Sequence, residues 1–121
     1  MSSAYENLPV YKQALDLTVY FETTVRHFER YHKYTIGTDL RNKARNILML
    51  IIKANKKADR KLYLEIAVRR LEELKVFIRI AKEIKAFRSL RSFEFATKKT
   101  IEVAKQCEGW LKCQNSSNQK P

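Results

Sequence analysis

Along this chain apolar side chains return every three or four residues, in four separate series. In the first, Val10, Ala14, Leu17, Phe21, Thr24 and Phe28 fall on one face of an α-helix, which the spacing predicts over residues 9–28. The second, Leu40, Ala44, Ile47, Ile51 and Ala54, predicts a helix over 36–55, with a start somewhere between Lys33 and Asp39. The third, Leu64, Ala67, Leu71, Leu74, Ile78 and Ala81, predicts a helix over 60–86. The fourth, Phe93, Ala96, Thr100, Ala104, Cys107 and Leu111, predicts one over 90–113. The run ILMLII at 47–52 would suit a strand on its own, but the helical period continues on both sides without turn chemistry.

The punctuation agrees with this reading. Pro9 suits a first helical turn, where its missing N–H is no loss. Asp59 is a candidate N-cap for the third helix, and Ser89 or Ser92 for the fourth. Only two Gly and two Pro interrupt a chain rich in good helix formers. Four amphipathic helices with short connections predict an all-α fold. The expected architecture is an up-down-up-down antiparallel four-helix bundle, one domain over 1–121, with residues 114–121 as a flexible polar tail.

Two helices carry more apolar surface than one bundle uses. The run ILMLII surrounds the second helix, and on the third Leu62, Ile66, Phe77, Ile80, Ile84 and Phe87 fall roughly opposite the core stripe at about 100° per residue. A helix apolar on two faces is buried on two faces. In so small a chain a second copy covers that face most simply, so a homo-oligomer is expected. An exposed patch or a broad core is the alternative.

Charge adds a partner to the picture. There are 25 Lys and Arg against 13 Asp and Glu, a net +12. The excess is uneven: residues 1–29 hold two basic and four acidic side chains, and residues 30–121 hold the other 23 and nine. Such a balance favours a polyanion, nucleic acid before anionic membrane, although a well-solvated surface would show it too. No apolar run nears the ~18 residues of a membrane span. The first ten residues lack the basic start and apolar stretch of a secretion signal, so a cytoplasmic protein is expected.

Catalytic signatures are missing from the pattern. No glycine-rich loop precedes a helix, as phosphate-binding loops require. His27 and His32 differ by about 140° around a helix and, apart from Glu29, have no Cys or carboxylate at ligand spacing. Glu72 and Glu73 lie off the core stripe. In CEGWLKC, Cys107 and Cys113 are separated by a rise of about 9 Å on one helix. A disulfide needs Cα atoms within about 7 Å, so packing explains these thiols better than redox or zinc chemistry. A non-enzyme without metal, cofactor or small-molecule substrate is expected.

LPVYKQALDL near the start, YHKYTIGTDLR entering the second helix, IIKAN ending it, LEELKVFIRIAKEIKAF in the third and EGWLK closing the fourth together resemble one family of small four-helix bundles. That family contains proteins encoded by intervening sequences of large ribosomal RNA genes and the accessory variability determinant (Avd) proteins of diversity-generating retroelements. The family's closing segment more often has Gly-Gly before the tryptophan, where this chain has Glu108-Gly109. The resemblance implies a basic homopentamer without catalytic activity. It also implies partners: the retroelement's reverse transcriptase, and its template RNA or cDNA. Five copies of this chain would bring together about sixty formal positive charges, a load that favours counterion release on binding a polyanion. An RNA-binding bundle of the ribosomal kind and a protein-interaction scaffold are the competing readings.

Three groups of cations are candidates for phosphate contact. One end of such a bundle would collect Arg30, Lys33, Lys85, Arg88 and Arg91; the other, Lys53, Lys56, Lys57, Arg60 and Lys61. Arg69, Arg70, Arg79 and Lys82 line the third helix outside its core stripe. Tyr31 and Tyr34 could stack on bases or pack near the helix entry. Candidate subunit contacts are the six apolar residues of the third helix together with Gly109 and Trp110, the glycine marking a close approach of helices beside the indole.

Overall fold

The computed structural model of the protein describes residues 4–119. A 3-10 turn at Ala4–Asn7 leads into α1 (Pro9–Val25), the single-turn α2 (Arg30–Tyr34), α3 (Ile36–Ala54), α4 (Arg60–Glu83) and α5 (Leu90–Gln119). The described residues contain no strand. The fold is all-α, and its four long helices are consistent with a four-helix bundle.

The helix limits follow local chemistry that periodicity does not report. α1 stops at Val25 rather than 28, and two tight-turn bonds, His27 N to Thr24 O and Phe28 N to Val25 O, fold the next residues back so that Phe28 stays buried. α4 stops at Glu83 rather than 86, where Lys85 takes a left-handed conformation with φ of 61°. Ala86 N then donates to Ala81 O and Lys85 N to Lys82 O, the paired bonds of a Schellman cap, with buried Ala86 covering the end. Of the two candidate serines, Ser89 caps α5: its Oγ accepts from Ser92 N at 3.1 Å. Asp59 does not cap α4, because at φ 57° it is left-handed and its side chain makes no cap bond. The expected flexible tail at 114–121 is helical through Gln119, and residues 120 and 121 lie outside the described residues.

Each long helix packs on two others, α1 and α4 both lying against α3 and α5. Thr18 of α1 donates to Ala44 O of α3, Tyr20 of α1 to Ser92 O at the start of α5, and Lys82 near the end of α4 sits over Phe93. The predicted core series of α3 and α4 are buried at every position, as are Val10, Ala14, Leu17 and Phe21 of α1. Thr24, Phe93 and Leu111 are only partly buried. Val103, which the fourth series left out, is fully buried beside Ala104. Each large side chain withdrawn from water contributes roughly 1.5–3 kcal/mol. The two buried threonines bond within their own helices, Thr18 to Ala14 O and Thr100 to Ala96 O, so neither hydroxyl is left unsatisfied.

Within the protomer the close approach lies at Gly37 and not at Gly109. Gly37 opens α3 beneath α2, and a Cβ there would lie 2.5 Å from Val25 Cγ1 and 3.0 Å from His32 O. This is the close approach in the fold. At Gly109 a Cβ would meet nothing within 4 Å, so no neighbouring helix of the protomer approaches it. Gly37→Ala should therefore cost about 1–3 kcal/mol in urea unfolding, from overpacking. Gly109→Ala should gain roughly 0.5–1 kcal/mol through helix propensity. A neutral Gly37→Ala variant would show that the contact between α1, α2 and α3 yields freely.

Candidate nucleic-acid interface

Along the helices six cations are ion-paired: Arg70 and Lys43 with Glu73, Lys75 with Glu72, Arg79 with Glu83, Arg45 with Glu22 and Lys99 with Glu102; Lys12, Arg41, Arg69, Lys98, Lys105 and Lys112 have no ion pair among the described residues. Most of these pairs follow from three- and four-residue spacing within one helix. The candidates Arg70 and Arg79 are thus engaged, while Arg69 is exposed on the same helix. Exposed pairs of this kind are worth only about 0–1 kcal/mol, so phosphate can compete for them.

One end of the molecule gathers α2, the loop between α4 and α5, and the start of α5. Arg88 Nε donates to His27 O and ties that loop to the end of α1. Phe87 sets its ring edge against Phe28 at 5.5 Å and lies 6.1 Å from Phe93. Glu29, Lys85, Ala86, Phe87 and Arg88 line a shallow concavity at this end. The candidates Lys85, Arg88 and Arg91 are exposed here with Arg30, and none of the four is ion-paired among the described residues. Lys82 is less available, since its Nζ lies 4.9 Å above the Phe93 ring.

The loop between α3 and α4 presents the second group. Lys53, Lys56, Lys57 and Lys61 are exposed and have no ion pair among the described residues. Lys57 is left-handed like Asp59. Arg60 behaves differently. Its Nε donates to Ala54 O at 2.7 Å and its Nη2 to Asn55 O at 3.0 Å, satisfying carbonyls that the end of α3 leaves unbonded. Its guanidinium also lies 5.2 Å from the Trp110 ring centroid. Arg60 therefore differs from the candidate lysines around it: its side chain links the end of α3 with Trp110 of α5. Nothing in the spacing signalled this, because an arginine in a basic loop looks the same whether it faces solvent or a helix end.

The candidate subunit contacts divide as well. Leu62, Ile80 and Ile84 are exposed at 52, 42 and 42%, and Val76, outside the predicted stripe, joins them at 57%. Ile66, Phe77, Phe87 and Trp110 are instead partly buried against the protomer's own core, with Lys43 Nζ 4.3 Å above Phe77. On α3 only Met49 of the ILMLII run is exposed.

Cys107 is buried and Cys113 exposed, both free thiols. Burial, helped by the neighbouring Glu108 carboxylate, pushes the Cys107 thiol up to about 12. Among the described residues no three His, Cys, Asp or Glu side chains cluster as a metal site, and no helix is long and apolar enough to cross a membrane.

Two measurements check these assignments. Arg60→Ala should lower stability by about 1–3 kcal/mol, through lost cap bonds and indole contact. Lys61→Ala should change it by less than about 0.5 kcal/mol. Equal effects in urea titrations would rule out the Arg60 link. A disulfide reagent at about pH 8 should titrate one thiol per native chain and two after denaturation, since only thiolate reacts. Two rapidly reacting native thiols would place Cys107 in contact with solvent.

The sequence has also been compared with known proteins. No curated protein matches it. The family described as bAvd-like matches residues 9–114, from the first residue of α1 to beyond Trp110 in α5. With nearly the whole bundle matched, the chain belongs to the bAvd-like family.

Proposed function

We propose that this protein is a non-enzymatic accessory component of a diversity-generating retroelement, one that binds the reverse transcriptase and the template RNA or its cDNA. Family membership supports the accessory role and is the sole support for the reverse transcriptase as partner. One observation carries the nucleic-acid part: both ends of the molecule present exposed cations without carboxylate partners among the described residues. Such cations exchange mobile counterions for phosphates, so affinity arises from released salt rather than from base reading.

In this reading the bundle is up-down-up-down and assembles as a homopentamer. Exposed Leu62, Val76, Ile80 and Ile84 along α4 would be covered by the next subunit, with Gly109 and Trp110 at the edge of that contact. Assembly multiplies the cationic ends around one axis and lets one polyanion meet several at once.

Filter binding with single-stranded RNA across a salt series tests the reading. Log affinity should fall against log salt with a slope of about −0.7 for each phosphate neutralised. Replacing Lys53, Lys56, Lys57 and Lys61 by Gln, with Arg60 kept, should reduce that slope by about one per cation engaged. A flat salt response would end the nucleic-acid assignment. For assembly, light scattering at micromolar concentration should give a mass well above the monomer, and Ile80→Glu with Ile84→Glu should reduce it. A monomeric parent protein would end the pentamer.

A further inference from the structure

α2 is a single helical turn, yet it displays the two most exposed large apolar side chains among the described residues. Tyr31 is 69% exposed and Tyr34 65%, whereas Tyr5, Tyr11, Tyr20 and Tyr63 are all partly buried. Packing at the helix entry therefore does not account for them. Residues three apart share a helix face, so both side chains leave α2 on the same side. His32 between them turns inward, its Nδ1 buried and its ring 5.7 Å from the Tyr31 ring in an edge contact.

The turn is held rigidly enough to serve as a platform. Thr35 Oγ1 donates to Tyr31 O at 2.7 Å, and Thr38 Oγ1 to Lys33 O at 3.4 Å. Beneath it, Gly37 admits the His32 carbonyl to a distance that any side chain would obstruct. Around the tyrosines lie Arg30 and Lys33 of the same turn. Glu29, one residue before α2, shares a concavity with Lys85 and Arg88, which places those loop cations beside the same end. Neither Arg30 nor Lys33 is ion-paired among the described residues.

Exposed aromatic faces among unpaired cations form the chemistry that holds unpaired nucleotides: cations follow the phosphates while bases stack on the rings. We infer that Tyr31 and Tyr34 form a stacking platform for unpaired bases, so that this end of the molecule takes single-stranded in preference to duplex nucleic acid. The inference deepens the nucleic-acid part of the proposed function and rests on it. Stacking needs a free base face and ignores the sugar, so single-stranded RNA and cDNA are both served.

Fluorescence anisotropy with the full chain provides the test, using four labelled probes of equal length: oligo-U, oligo-dT, an abasic strand and a blunt duplex. The parent protein should favour both base-bearing single strands over the abasic strand and the duplex. Tyr31→Ala with Tyr34→Ala should weaken oligo-U and oligo-dT by about fivefold or more and leave the abasic strand unchanged. Phe at both positions should restore the parent affinities. Arg30→Gln with Lys33→Gln should weaken all four probes and lower the salt slope. If the alanine pair leaves the base-bearing strands unaffected, or weakens the abasic strand equally, the platform is refuted while salt-dependent binding by the parent still upholds the wider reading. A parent protein that binds none of the probes at near-physiological salt refutes both.

Discussion

Val10, Ala14, Leu17 and Phe21 on α1 can leave water only against the matching stripes of α3 and α5, and those stripes only against α4 in turn. Isolated helices of such length are marginal in water, so this mutual burial holds each of them in shape. It also constrains where charge can go. Core positions admit aliphatic, aromatic or small side chains and two threonines that bond within their own helices. The Lys and Arg side chains of the described residues are therefore excluded from the core positions, and the arrangement of carboxylates decides which of them remain unneutralised.

Where helices end, the chain must satisfy backbone groups that the ladder leaves over, and three different devices do so here. Ser89 caps the start of α5, the Lys82–Ala86 stretch closes α4 through a left-handed lysine, and Arg60 reaches back to the last carbonyls of α3. The last of these joins distant parts of the sequence, because the same guanidinium faces Trp110. CEGWLKC thus takes part in the architecture through its tryptophan, while its buried thiol is held protonated and its glycine faces open space.

The ion pairs along the helices and the unpaired cations at the ends have one origin. Acidic residues three or four positions from a cation neutralise it within a helix, and the loops contain few acids to do the same. The cations of the end loops are thus unpaired among the described residues, and the exposed Tyr31 and Tyr34 stand at one of those ends.

The four helices and most of their buried positions were legible from spacing alone, because an apolar stripe at helical period has only one way to leave water. Membership of the bAvd-like family was legible too, from the order of segments that the family match covers. Tertiary structure alone decided the partners of individual side chains. Periodicity carries no signal for the separate turn α2, for the left-handed residues that end α4 and precede it, or for Val103 beside Ala104. Gly37 and Gly109 look alike in the sequence, yet only one lies under another segment, since what approaches a glycine is set by residues far along the chain. Arg60 and Lys61 stand side by side with the same formal charge, and the contact with a helix end and an indole separates the structural cation from the one left in solvent.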